Sequence, residues 1–216
     1  MERWQMLVSL VAYLLGGTVI TLEVTAIALP MGFAVGLLLA LSRIYGGRLL
    51  SRFAVLYSTL LRAIPALVVL FILYFVIAGA INLSPFLAGS LSLGIVSGAY
   101  QSEILRGAIL SVGVGQMMAA RSIGMSRLKA IRHIILPQAL RLAIPPWSNE
   151  AAIVLKDSSL VYVLGVPEML RRAEYVSART YQPFVAFGTC AAIYFMLTFL
   201  TNRGLDALER RVKIPT

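Results

Sequence analysis

Few groups in this chain of 216 residues could do chemistry, and their placement limits what that chemistry is. The acids Glu23, Glu103, Glu150 and Asp157 stand within or at the end of long apolar runs. An ionised side chain at the centre of a membrane helix costs about 2.5–3.5 kcal/mol on insertion scales and is seldom idle there. The lone histidine, His133, and the lone cysteine, Cys190, exclude an intrachain disulfide and leave too few ligands for a structural zinc site. His133 lies in a basic segment away from the apolar runs, which disfavours a serine–histidine nucleophile within them. A phosphate-cradling G-x-x-x-x-G-K-S/T loop is missing, and Gly113 and Gly115 form a glycine pair with no lysine after it. The chain therefore holds no nucleotide by that means.

Each acid has a structural reading beside a functional one. Arg106 follows Glu103 by three residues, so an ion pair on one helix face would make both tolerable. Glu150 follows Asn149 and has no basic residue within a turn on its N-terminal side; Lys156, six residues on, is poorly placed to reach it. Such a carboxylate faces a polar cavity, a ligand or another helix. Gln101, Ser102 and Asn149 could supply neutral hydrogen bonds beside Glu150. The pair Pro145 and Pro146 predicts a break in the helix just before Asn149, freeing carbonyls that are tolerable only where they line protein or water, and discontinuous helices near the midplane are where transporter sites form. Glu23, among Thr18, Thr21 and Thr25, reads as a helix-packing group. Lys156 and Asp157 read as locally compensated charge.

The elements that must position these groups follow from composition. Hydrophobic residues make up 59% of the chain, charged residues 13%, and mean hydropathy is +0.87; soluble domains run at about 45–50% apolar and about 25% charged. About 20 apolar residues cross a bilayer core as a helix, and five runs qualify approximately: 18–41, 55–78, 86–110, 138–155 and 184–200. We read residues 1–216 as a single all-α integral membrane domain of about five transmembrane helices. The stretch from Trp4 to Leu15 reads as an amphipathic helix lying along the membrane surface, with Trp4 and Tyr13 at the interface. The region from Asp157 to Gln182 predicts a short surface helix in an outer connection.

The net charge of +10 would raise nucleic acid as a partner for a soluble protein, but the arginines sit between apolar runs. Arg43, Arg48, Arg52 and Arg62 follow the first run. Arg106, Arg121, Arg127, Lys129, Arg132 and Arg141 lie between the third and fourth, and Arg203, Arg210, Arg211 and Lys213 form the tail. With five spans all three clusters fall on one face, which the positive-inside rule makes cytoplasmic. The C-terminus is then cytoplasmic and the N-terminus outside. The sparser face carries Arg3, Lys156, Arg171, Arg172 and Arg179. The N-terminus shows no cleaved-signal pattern of basic region, short apolar core and small-residue site.

The cytoplasmic stretch from Gly115 to Pro137, GQMMAARSIGMSRLKAIRHIILP, is neither polar nor Gly/Ser-rich. Ile123, Leu128 and Ile131 recur at helical spacing, and two short helices broken at Gly124 are expected, with Pro137 opening the next span. Periodicity alone equally allows a basic amphipathic helix on anionic lipid.

Ala119 and Ala120, Gly124 four residues after Ala120, then Ile134, Leu136 and Pro137, resemble in spacing the cytoplasmic EAA loop of ABC importer permeases. The acidic first position of that motif is Met118 here. LPQALRLAIPPWSN (136–149), LKDSSL (155–160), LRAIPALVVLFILYF (61–75) and AYQSEILRGAI (99–109) are similar to the polar amino-acid subgroup of that family. The resemblance implies the type I importer permease fold in the cytoplasmic (inner) membrane. It implies a coupling helix, with Ala119, Ala120, Gly124, Met125 and Ser126 gripping a separate ATPase subunit on which ATP and Mg bind. It also implies an extracytoplasmic solute-binding protein, a second permease copy, identical or related, and a gate around Lys156, Asp157 and Ser158. Glu150 replaces a commonly apolar residue of the subgroup, which points to basic amino acids; glutamine or another polar amino acid is the alternative. A channel or intramembrane enzyme would leave the EAA-like loop without a purpose, and the absence of a visible internal repeat speaks against a secondary transporter.

Overall fold

The computed structural model describes residues 2–212, with side chains described for residue 5 and for 8–212. The expected interfacial role of Trp4, and the charges of Arg3 and Lys213, fall outside those side chains. The described residues are helical almost throughout, with no strand among them.

The first helix, α1 (Glu2–Tyr45), is unbroken, which corrects the expected surface helix from Trp4 to Leu15: that stretch forms the opening turns of α1 itself. Gly16 and Gly17 end nothing because their missing side chains are filled from outside. A Cβ at Gly17 would lie 2.8 Å from the backbone of Met169, and one at Gly16 only 2.5 Å from Nη1 of Arg172.

The second run is two helices. α2 (Arg48–Ala63) and α3 (Ala66–Ile72), the latter lengthened by a π-helical segment (Leu73–Ala78), meet at a bend of 107°. Pro65 lacks an N–H and disfavours helical geometry at the residue before it, and Ile64 is extended at φ −97°, ψ 133°. Arg62, at the end of α2, stands beside the bend and stays exposed.

α4 (Pro85–Ser111) starts on a cap in which Ser84 Oγ accepts the Leu87 N–H at 3.3 Å. It is the central helix, packed along α1 through small residues on both sides. At Gly36 an added Cβ would sit 2.9 Å from Gln101 Cβ, and at Gly94 2.9 Å from Met31 Sδ. Close approach through small residues is how membrane helices gain contact without a hydrophobic driving force.

Two short helices follow, α5 (Val114–Ser122) and α6 (Arg127–Ala130), and a π-helical stretch (Ile131–Ile135) leads into α7 (Leu136–Asp157), with Pro137 in its first turn. α7 is continuous through Pro145 and Pro146, which corrects the expected break. Prolines are tolerated in a membrane helix where neighbouring groups re-satisfy the freed carbonyls, which here belong to Arg141 and Leu142. A 3₁₀ segment (Ser158–Leu164), a left-handed Gly165 at φ 82°, and α8 (Met169–Thr180) form the connection to α9 (Pro183–Val212). α8 is the expected short helix, but Met169 and Ala173 are buried, so it is docked into the bundle.

By length and apolarity, Val8–Tyr45 and Pro183–Val212 qualify as spans, and the bent α2–α3 pair as a third. α4 and α7 match the third and fourth runs and are long enough, about 40 and 33 Å at 1.5 Å per residue. They fall short on apolarity because α4 is rich in glycine and serine and α7 carries charge. More than half of α4 is buried, whereas α7 buries one face and leaves Pro145, Pro146 and Asn149 exposed.

Candidate functional site

A cavity of about 420 Å³ opens where the end of α2 and the Ile64–Pro65 bend face α4 and α7. Its polar lining is Glu150 and Asp157 from α7, Arg62 from α2, and Ser97 and Tyr100 from α4; Leu93, Val96, Ile153 and Val154 supply apolar wall. Glu150 and Asp157 are seven residues apart on one continuous helix and face the same space, about 10 Å apart along the axis. The uninterrupted helix from Glu150 to Asp157 is what aligns them.

Glu150 is 5% exposed and sits at the end of a hydrogen-bonded chain. Trp147 Nε1 donates to Gln101 Oε1 at 2.8 Å, and Gln101 Nε2 donates to Ser97 Oγ at 2.9 Å and to the Leu29 carbonyl at 3.2 Å. Ser97 Oγ in turn donates to Glu150 Oε1 at 2.7 Å. The other carboxylate oxygen, Oε2, has no hydrogen-bond donor among the described residues. A carboxylate offers about four lone-pair sites, so this one is oriented by its neighbours yet far from filled. Gln101 is fully buried and fixes both Ser97 and Trp147.

The expected neutral partners separate. Gln101 joins the chain that ends at Glu150. Ser102 is buried but donates to Ala99 of its own helix at 2.7 Å, and Asn149 lies on the exposed flank of α7, outside the cavity lining. Ser158, also buried, donates to the Leu155 carbonyl at 2.6 Å where α7 passes into the 3₁₀ segment. Lys156 and Asp157 do not close into a pair: Lys156 lines a separate crevice with Phe187 and Tyr194, while Asp157 lines the Glu150 cavity. Pro145 and Pro146 lie on the exposed side of α7.

Glu103 forms the ion pair with Arg106 that its spacing allows, at 2.8 Å, and more besides. Arg43 of α1 pairs with its Oε1, Arg62 stands 3.8 Å away, and Ser58 Oγ donates at 3.5 Å. It is the centre of an arginine cluster, and it is not among the cavity's lining residues. Glu23 faces a shallow crevice with Ser84, Phe86 and Pro167.

Ser97, Arg62, Tyr100 and Trp147 were not legible as site residues. Ser97 reads as one more small packing residue of α4, and Arg62 as one of four loop charges. The signal for Arg62 was Pro65, three residues on, which turns the helix there. Glu168 was also missed. Its carboxylate, 0% exposed, caps α8 by accepting the N–H groups of Leu170 at 2.8 Å and Arg171 at 2.7 Å, and it accepts the Tyr194 hydroxyl of α9 at 3.0 Å. Burial pushes this carboxyl above the usual range, against the pull of those donors.

In the segment between α5 and α6 Gly124 has φ 84°, the left-handed geometry expected of a glycine turn, and a Cβ there would meet no neighbour. The Met125 N–H reaches back to the Ala120 carbonyl at 3.1 Å, closing the end of α5 in a Schellman-type turn. Arg121 Nη1 donates to the Met125 carbonyl at 2.9 Å, and Ser126 Oγ caps α6 by accepting the Lys129 N–H at 3.4 Å. Ala120 is buried and Ala119 exposed. Met118, Ile123 and Leu128 are exposed apolar side chains on this segment. Arg127 lies over the Tyr45 ring at 5.3 Å, tying α6 to the end of α1.

A small-residue helix core, a charged cavity and an exposed apolar turn around Gly124 belong to a helical membrane protein. Residues 32–214 match the family described as binding-protein-dependent transport system inner membrane component, and the chain belongs to that family, as the permease subunit of an ATP-binding cassette importer. It is 37% identical over 211 residues to the octopine transport system permease protein OccQ of Rhizobium radiobacter, covering 92% of this chain and 89% of that protein. It is 34% identical over 214 residues to the glutamine transport system permease protein GlnP of Escherichia coli K12, covering 98% of each. A solved structure described as an amino acid ABC transporter with histidines superposes at TM-score 0.86, with 34% identity, covering 94% of this chain and 96% of the other. An inward-facing MetNI methionine ABC transporter superposes at 0.82 with 19% identity, covering 94% and 97%, which shows the shared fold.

Proposed function

We propose that this chain, as one permease domain, forms the translocation pathway of an importer for basic amino acids, driven by ATP hydrolysis on a separate subunit. The observation that carries the substrate class is Glu150: buried, oriented by Ser97, and open at its second oxygen to a cavity that also holds Asp157. A basic amino acid has two cationic ends, the α-ammonium and the side chain, and the cavity offers two carboxylates about two helical turns apart. An ion pair near 4 Å is worth about 1 kcal/mol in bulk water and about 4 kcal/mol at an effective dielectric of about 20, so a partly desolvated pair discriminates strongly against a neutral side chain.

ATP and Mg bind on the partner ATPase. The turn at Gly124, with Ala119, Ala120, Met125 and Ser126, docks into that partner and carries its closure to α7 through the continuous run from α6, while Met118 offers apolar contact where related loops carry an acid. An external solute-binding protein delivers the substrate, a second permease copy, identical or related, completes the pathway, and membrane lipid surrounds the pair. The basic clusters support a cytoplasmic C-terminus and an external N-terminus.

The test is import into proteoliposomes by the complete transporter, comparing arginine with glutamine. Glu150→Gln is expected to cut arginine import by about 10–100-fold, the scale of a lost hydrogen bond to a charged group, while glutamine import changes by less than about threefold. Arginine import unchanged in Glu150→Gln removes the cationic assignment; import that persists without the ATPase subunits removes the importer mechanism.

A further inference from the structure

We infer that Arg62 binds the α-carboxylate of the substrate, and that this one side chain makes the cavity select amino acids over the corresponding amines. The inference rests on reading the α2–α4–α7 cavity as the substrate site, and it assigns the third charge of that cavity.

Arg62 occupies the last turn of α2, two residues before the extended Ile64 and the 107° bend. The bend leaves it in the lining of the cavity that also holds Glu150 and Asp157, its side chain 43% exposed and its guanidinium 5.7 Å from the centre of the Tyr100 ring. Its carboxylate neighbour is already occupied. Glu103 Oε2 accepts both Nε and Nη2 of Arg106, at 2.9 and 2.8 Å, and Oε1 is paired with Arg43. Arg62 Nη1 stands 3.8 Å from that Oε1, beyond hydrogen-bond range, and its donors reach no acceptor among the described residues. The guanidinium is therefore held by field and ring contact while its planar fork stays unfilled. That fork matches a carboxylate bidentately, which an ammonium cannot do.

The charge arrangement agrees. Three arginines around one glutamate leave excess positive charge on the α2 side, and two carboxylates leave negative charge on the α7 side. An amino acid with a cationic side chain presents one anion and two cations, the complement of this lining. An amine without the carboxylate presents nothing to Arg62 but a like charge.

The experiment uses the purified permease–ATPase complex without the solute-binding protein, so that selectivity belongs to the membrane part alone. Binding of L-arginine and of L-argininamide, whose α-carboxylate is a neutral amide, is measured by isothermal titration. The wild type is expected to prefer arginine by about tenfold or more, as a charge-assisted bidentate contact requires. Arg62→Gln collapses the ratio toward one by weakening arginine alone, and Arg62→Lys retains part of it. An unchanged ratio in Arg62→Gln overturns the assignment. Should that variant not fold, equal affinity of the wild-type complex for the two ligands overturns it as directly. If arginine does not bind but glutamine does, the same ratio is read with glutamine and its α-amide: collapse in Arg62→Gln then upholds Arg62 while the cationic reading fails. Binding of neither amino acid removes both.

Discussion

Glu150 and Glu168 are both buried carboxylates, at 5% and 0% exposure, and they do opposite work. Glu168 takes two backbone N–H groups at the start of α8 and the Tyr194 hydroxyl of α9. With Arg172, which donates to the Tyr13 carbonyl at 2.9 Å and to the Pro167 carbonyl at 3.1 Å, it ties the connection between α7 and α9 to α1 and α9. Glu150 takes one hydroxyl and turns its other oxygen to a cavity. Burial is common to both. Acceptor capacity left unfilled beside open volume separates the cavity-lining acid from the structural one, since a buried polar group without a partner is costly unless something fills it.

The sharpest way to break this contrast is at Glu168. Glu168→Ala leaves two backbone donors and one hydroxyl without their acceptor, and at about 1–3 kcal/mol for each buried unsatisfied donor the loss should reach at least about 3 kcal/mol. It is expected to show as a large fall in Tm or a loss of monodisperse complex, with the arginine-to-glutamine preference unchanged in whatever protein folds. A change of preference without a change in Tm would exchange the roles assigned to the two acids.

Ser97→Ala asks a finer question. Ser97 supplies the hydrogen bond that orients Glu150, worth about 1 kcal/mol net and about twice that to a charged group. Arginine binding should weaken by about 5–30-fold through a freed Glu150, with little effect on Tm. A variant in which arginine binding is unchanged would mean that Glu150 needs no orientation.

The smallest effect concerns pH. Burial raises the Glu168 carboxyl above its ordinary value of 4.5, so the folded state favours the protonated form. Such a group contributes stability below the ordinary value, and that contribution is lost as pH rises through the raised one. The Tm of the wild type, measured relative to that of the non-titrating Glu168→Gln from pH 4 to 7, should therefore decline as pH rises. A relative Tm that climbs with pH would mean that the three donors outweigh burial.

What could be read in advance divides along the same physical line. Gly124 and the Pro137 start of the fourth run are local backbone requirements, and the structure meets both. Glu150 stood out because a lone acid on an apolar run needs a partner that its own helix cannot provide. Arg62 and Ser97 were hidden, since only the bend at Ile64–Pro65 and the packing of α4 on α7 bring them to Glu150. Glu168 was hidden by its position in a connection that reads as surface. The stretch from Trp4 to Leu15 reads as a separate surface helix and the proline pair in α7 as a break, and the structure shows neither. Gly16 and Gly17 seat α8, and Pro145 and Pro146 sit within a helix that keeps Glu150 and Asp157 on one face.

The central claim, that the cavity recognises positive charge on the substrate side chain, is tested most directly by titrating the purified permease–ATPase complex with arginine and with citrulline. Citrulline keeps the length and shape of arginine and replaces its guanidinium with a neutral group. Tighter binding of arginine by about tenfold or more, falling toward equality in Glu150→Gln, is the predicted result. Equal affinity of the wild-type complex for the two ligands would contradict it.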